Sequence, residues 1–223
     1  MKKIALVGSA PSSRDLAPYN DPEWEIWTCS PSNMDLPRSD IFFELHAWDT
    51  MVRDPALTLF LAWLRKHPRV YLQKTNPQFP NATAYPVDEM VAKYGPYFFT
   101  SSLSYMWALA LEQKPTHVGM WGVDMTAGEE YAYQRPGCQY FIQKARDLGI
   151  EVVVPVESDI IAPAPKYGFR ELNPLYRKMF VRRQELERRY HDAVARKNAA
   201  HEEAMTLSGA LEDINYVIDT WAV

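Results

Sequence analysis

Cysteine is scarce in this 223-residue chain, with only Cys29 and Cys138 present. Two cysteines can build neither a disulfide framework nor a cysteine-rich zinc site, so a reduced, cytoplasmic protein is expected. No apolar run reaches the roughly 18 residues of a membrane span. The charged start, Met1-Lys2-Lys3, leads into only four apolar residues before Gly8 and a Ser/Pro-rich stretch, which argues against a signal peptide. An excess of basic charge is also missing: the net charge of −4 speaks against a wholly basic nucleic-acid binder. Wholesale disorder is excluded by 47% hydrophobic and 23% charged residues. The length suffices for one sizeable core and an appendage. There is no internal repeat and no low-complexity tract.

What is present is an alternation of two periodicities. Lys3–Val7, Glu25–Cys29, Asp40–Leu45, Arg69–Leu72, Thr116–Trp121 and Ile150–Val154 read as buried strands. Ala56–Lys66, Ser102–Gln113 and Pro136–Leu148 read as helices, the last closed by Gly149. Such alternation predicts an α/β domain, an open parallel sheet with helices on both faces, over residues 1–160.

A linker over 161–171 and a long helix over 172–223 follow. The helix carries Met179, Leu186, Ala193, Ala200, Leu207, Ile214 and Trp221 at seven-residue spacing. Tyr176, Tyr190, Ala204, Leu211 and Ile218 fill most of the companion positions, and Arg183 and Lys197 interrupt them. Ser208-Gly209 offers a bend that would fold the segment into a hairpin. The stripe either packs on its own domain or joins subunits into a homo-oligomer. Residues 177–197 hold eight Lys/Arg and three Asp/Glu, a net of +5, which reads as a solvated helix face or a basic patch.

Candidate chemistry collects at the carboxyl ends of the strands, where ligands bind open parallel sheets. After the first strand comes Gly8-Ser9-Ala10-Pro11-Ser12-Ser13. Either it is an ordinary strand-to-helix turn capped by Ser12 or Ser13, or it presents helix N–H groups to a phosphate. It is neither a dinucleotide fingerprint nor a Walker loop. Ser30 and Asn33 follow the second strand, and His46 and Trp48 the third, where they pack or contact a base or sugar. Thr100, Ser101 and Ser102 precede an apolar helix; one hydroxyl suffices for an N-cap, and three suit an anion or ribose. Asp124 ends a buried strand, where an acid must be paired, ligand-bound or catalytic. The following Glu129-Glu130-Tyr131-Ala132-Tyr133-Gln134-Arg135 reads as a loop, with Pro136 as the first helical residue. It is either plain surface or a set of Tyr and Arg donors for a departing phosphate.

In this order, Gly8–Ser12, Thr100–Ser102 and Gly122-Val123-Asp124 with its Tyr-rich sequel resemble the Rossmann-like domain of Campylobacter-type bacterial sialyltransferases. They are equally similar to motility-associated glycosylation factors and 6-hydroxymethylpterin diphosphokinase-like proteins. The resemblance covers about residues 1–160, and the compact form resembles proteins of tailed bacteriophages and prophages, which would act in the host cytoplasm. It implies nucleotide phosphates at Gly8, Ser9, Ala10, Pro11, Ser12 and Ser13, and nucleotide contacts from Ser30 and Asn33. It also implies contacts from Thr100, Ser101 and Ser102 to the nucleotide or donor sugar, with Tyr131 and Tyr133 on the leaving phosphate. The sialyltransferases carry a general-base histidine shortly afterwards. Here Gln134 and Arg135 stand in that stretch and no His occurs between 118 and 190. Either the base comes from elsewhere, from Asp124, Glu129, Glu130 or His46, or the domain is not a sialyltransferase.

The expected function is a nucleotide-sugar-dependent glycosyltransferase without a metal or other cofactor, using Asp124, His46 and Arg135 in catalysis. Its partners would be a nucleotide or nucleotide sugar and further copies of itself, with no membrane and with nucleic acid only as an acceptor. The alternatives are a pyrophosphokinase acting on a pterin-like alcohol with ATP and magnesium, and a non-catalytic nucleotide-binding or assembly protein.

Overall fold

A computed structural model describes residues 2–125, 129–163 and 174–221, with the backbone alone for 129–130 and 174–177. The chain falls into two compact units, Met1–Ile161 and Ala162–Val223. In the first, the strands are β1 (Lys3–Val7), β2 (Trp24–Cys29), β3 (Ile41–Glu44), β4 (Val70–Leu72), β5 (Ala82–Ala84), β6 (His117–Trp121) and β7 (Glu151–Val153). The helices are α1 (Trp48–Arg53), α2 (Thr58–Leu64), α3 (Val87–Tyr94), α4 (Ser102–Glu112) and α5 (Glu129–Asp147).

All seven strands are parallel, in the order β5-β4-β3-β2-β1-β6-β7. The fold is α/β, as the sequence predicts. The chain first steps outward from β1 to β5, then returns to the other flank of β1 for β6 and β7. The direction of winding therefore reverses between β1 and β6, the place where open α/β sheets form a ligand crevice.

Period-two burial divides the core. Ile4, Leu6, Trp27, Ile41, Phe43, Val118 and Met120 point to one face, under α4 and α5 with Met106, Trp107, Phe141 and Ile142. On the other face α1 and α2 cover Phe42, Val70 and Leu72 with Met51, Phe60, Leu61 and Leu64. There Ala5, Val7, Ile26 and Trp121 are covered by Ala17 and Tyr19 of the β1–β2 connection.

Three expectations need correction. No α-helix follows Ser13; the connection forms only a short turn of 3-10 helix at Arg14–Leu16, without a side-chain cap from Ser13. The Tyr-rich segment is helical, not a loop, and Pro136 lies inside α5 rather than at its first position. Proline removes one N–H and crowds the preceding turn. The helix continues because Cys138, Phe141, Ile142 and Ala145 are anchored in the core beyond it. Ser208-Gly209 makes no bend in the second unit, where α6 (Pro174–Trp221) runs unbroken for 48 residues. A glycine inside a helix costs only about 1 kcal/mol, which the turns on either side outweigh. Among the described residues, no helix is long and apolar enough to cross a membrane.

The switch point is made by two glycines in backbone contact. A Cβ on Gly8 would lie 2.5 Å from the Gly122 carbonyl oxygen, and one on Gly122 would lie 2.6 Å from that of Gly8. Gly122 also has φ +64°, in the left-handed region. The Gly8 N–H donates to Trp121 O at 2.9 Å and the Ala10 N–H to Gly122 O at 2.7 Å. Gly8→Ala is expected to cost about 1–3 kcal/mol through overpacking, read as a lower midpoint in urea unfolding.

His67 is buried between β3 and β4, with Nε2 3.1 Å from Ser39 O and Nδ1 3.0 Å from Arg69 O. Burial pushes its imidazole below the usual value of 6.5, outweighing those carbonyls and the Asp40 charge. The unfolded chain therefore binds a proton that the folded one refuses. This stability is complete above pH 6.5 and is lost as pH falls through the lowered folded value. Melting temperatures measured from pH 7.5 to 5 should fall less steeply in His67→Gln than in the wild type.

Candidate active site

A cavity of about 1070 Å³ opens above the carboxyl ends of β1, β2, β3, β4 and β6. At the switch point its lining is Gly8, Ser9, Ala10 and Pro11 on one side and Gly122, Val123, Asp124 and Met125 on the other. Thr100, Ser101 and Ser102 close it from the start of α4, and Tyr131 and Gln134 from α5. Ser30 and His46 line it from the ends of β2 and β3. Most sequence-predicted residues thus meet in one space because parallel strands put all their carboxyl ends on one edge.

Six do not line it, Trp48 among them. Ser12 donates from Oγ to Asp124 Oδ1 at 2.8 Å and so orients the acid behind the lining. Ser13 is buried and accepts the Gly122 N–H at 2.9 Å, which ties β1 to β6. Asn33 is buried and donates from Nδ2 to the carbonyls of Cys29 at 2.7 Å and Gly8 at 3.0 Å. Tyr133 is 74% exposed, since α5 turns it away from the face that carries Tyr131 and Gln134. Arg135 donates to the backbone carbonyls of Met125, at 3.4 Å, and Asp159. Glu129 and Glu130 open α5, but their side chains lie outside the described residues.

At the start of α4, Ser101 is the N-cap and forms a capping box with Ser104. The Ser104 N–H donates to Ser101 Oγ at 3.2 Å, and Ser104 Oγ accepts the Thr100 and Ser101 N–H groups at 3.1 and 3.0 Å. Ser101 therefore serves the fold, while Thr100 and Ser102 are further hydroxyls on the cavity lining. Gly137 of α5 permits this arrangement, because a Cβ there would lie 2.5 Å from Phe98 O and from Thr100 Oγ1.

Sequence reasoning missed Glu44. It ends β3, is 2% exposed, and its Oε1 sits 2.5 Å from Nδ1 of His46 while accepting the His46 N–H at 3.0 Å. An acid two residues before a histidine at a strand end was a readable signal. It also missed Gln73 and Lys74 after β4, and the wall formed by Tyr85, Phe99 and Tyr105. Rings contact one another along that wall at 5.1 Å for Tyr85–Tyr105 and 4.9 Å for Phe99–Tyr105. Tyr85 donates to Tyr105 O at 2.9 Å, and burial pushes its phenol far above the usual range. Trp48 does not line the cavity; its ring packs edge-on against Phe79 at 5.1 Å.

Neither cysteine suits nucleophilic chemistry. Burial pushes both the Cys29 and the Cys138 thiols up to about 12, so each stays protonated at neutral pH. Among the described residues, no three His, Cys, Asp or Glu side chains gather where they could hold a metal ion.

The role expected for Arg135 changes with its geometry, because its guanidinium braces the segments after β6 and β7 from outside the cavity lining. Arg135→Ala is expected to destabilise the fold by about 1–3 kcal/mol, read in denaturant unfolding.

No family model matches the chain, and no curated protein does either. Among solved structures, it is similar to the sialyltransferase CstII from Campylobacter jejuni in complex with the substrate analogue cytidine-5'-monophosphate. Identity there is 15%, over 69% of this chain and 79% of that one, with a TM-score of 0.47. A complex of the same enzyme with CMP-3FNeuAc aligns at 14% identity over 69% and 80%, with a TM-score of 0.46. A complex of CST-II with a trisaccharide acceptor and CMP aligns at 12% identity over 69% and 80%, with a TM-score of 0.46. At that similarity, chemistry has to be read from this chain's own cavity.

Proposed function

We propose that the chain is a glycosyltransferase that takes its sugar from a nucleotide donor, with the nucleotide at the β1/β6 switch point and no metal required. One observation carries this reading: a carboxylate-held histidine, His46 on Glu44, shares a single cavity with a hydroxyl-lined helix start at Thr100–Ser102. The cavity volume of about 1070 Å³ lies at the large end for small-molecule sites, in keeping with a nucleotide bearing a sugar.

The two halves of the reaction need opposite groups. His46 takes the proton of the acceptor hydroxyl at Nε2, while Glu44 holds Nδ1 and stabilises the imidazolium that forms. The acceptor oxygen bonds to the anomeric carbon as that carbon's bond to the phosphate oxygen breaks. Negative charge grows on the departing phosphate, where Thr100, Ser102 and Tyr131 supply hydroxyl donors. The start of α4 adds the positive end of a helix at the cavity lining. Gly8–Pro11 lie against the phosphates, Ser30 lies near the nucleoside, and the edge-on rings of Tyr85 and Tyr105 supply an aromatic wall for base or sugar. Asp124, held by Ser12, orients a donor or acceptor hydroxyl.

Thermal unfolding with CMP-, UDP- and GDP-sugars and ATP, with and without magnesium, tests the reading. One nucleotide sugar should raise the melting temperature without magnesium. His46→Ala should keep that shift and lose about 100-fold or more in transfer rate. Stabilisation by ATP with magnesium alone would point to pyrophosphoryl transfer. No stabilisation by any of them, or full transfer by His46→Ala, would overturn the assignment.

A further inference from the structure

The second unit presents an apolar stripe and an unusual distribution of charge on one unbroken helix. α6 is about 72 Å long at ~1.5 Å per residue. Leu186, Tyr190, Leu207, Leu211, Ile214, Ile218 and Trp221 are all exposed along it. Its first half, residues 174–197, holds eight Lys/Arg and three Asp/Glu, a net of +5. Its second half, residues 198–221, holds five Asp/Glu and no Lys or Arg, a net of −5. The first turn has no acid and the last turn no base, the reverse of what the helix macrodipole favours. Alone, this helix exposes its apolar stripe and opposes its own dipole.

We propose that α6 pairs antiparallel with α6 of a second copy of this chain, positive half on negative half. The heptad positions define one register in which the two helices overlap over nearly their full length. Met179 then meets Ile218 of the second copy, Leu186 meets Leu211, Tyr190 meets Leu207 and Ala193 meets Ala204. Large residues form layers towards both ends and small ones approach at the centre, as interlocking side chains require. The two interruptions fall on tolerant partners. Arg183 faces Ile214 and Lys197 faces Ala200, so each long stem lies on apolar surface while its charge reaches water. Arg183 already keeps its head group 3.3 Å from Glu187 on the same helix. Beside the central layers, Arg196 flanks Glu203 of the second copy.

A parallel pair fails on the same residues. In register, Arg183 would face Arg183 and Lys197 would face Lys197 within the apolar seam, and the +5 halves would lie side by side. The antiparallel pair removes both repulsions and brings acids to the helix N-terminus, where the dipole favours them.

The full-length chain provides the test. Light scattering at high micromolar concentration should return the mass of two chains rather than 25.7 kDa. Orientation and register are read with Ala193→Cys and Ala204→Cys, made separately in the full chain. On mild oxidation, the equimolar mixture should form a disulfide-linked dimer and neither variant alone should. Cys29 and Cys138 are buried, and the wild type controls for them. A monomeric wild type, self-linking of either variant, or a dimer that does not link in the mixture would each overturn the proposal.

Discussion

Gly8 and Gly122 meet backbone to backbone, and the first unit is organised around that contact. It lies where the winding of the sheet reverses, so the segments leaving β1 and β6 turn apart above it and leave a cavity between them. Side chains at either position would force the strands apart at their carboxyl ends. Ser13, through the Gly122 N–H, and Asn33, through the carbonyls of Gly8 and Cys29, close the hydrogen bonds that this tight junction would otherwise leave open.

The polar residues at that edge divide into two groups by a single physical rule. A buried polar group must find a partner, so residues that sink behind the cavity become part of the frame. Ser13 and Asn33 belong there, bonded to backbone, and Ser101 and Arg135 also bond to backbone although they are only half-buried. Those that remain at the rim, His46, Asp124, Thr100, Ser102, Tyr131 and Gln134, line the cavity. Glu44 belongs to both groups, since its carboxylate is buried while its partner His46 faces the cavity. Small polar residues therefore outnumber the groups available for chemistry, which explains why motif density alone overstates a site.

Much of the first unit was legible. Six of the strands could be read because fully buried parallel strands are continuous apolar runs bounded by breakers, as in Ile4–Val7 and Val118–Trp121. β5, Ala82–Ala84, carries only small residues and gives no such run. α3 is short and half polar, and without β5 there was no strand to place it against. Proline favours a first turn, so the sequence predicts that α5 starts at Pro136. The structure extends it seven residues earlier, with Tyr131 and Gln134 on the cavity face.

The sequence by itself determined the parallel α/β class, the edge on which candidate residues gather, and the heptad stripe and charge reversal of α6. Each of these follows from spacing along the chain, and local periodicity reports faces, breaks and charge directly. Only the tertiary structure decided which hydroxyls line the cavity, that Glu44 holds His46, and that Arg135 bonds to the carbonyls of Met125 and Asp159. Apart from Glu44 and His46, which stand two residues apart, those outcomes depend on which atoms approach across 10 to 112 residues of chain, as Arg135 does to Met125 and Ser12 to Asp124. Hydrogen bonding and burial act between neighbours in space, and no pattern of neighbours in sequence encodes that distance.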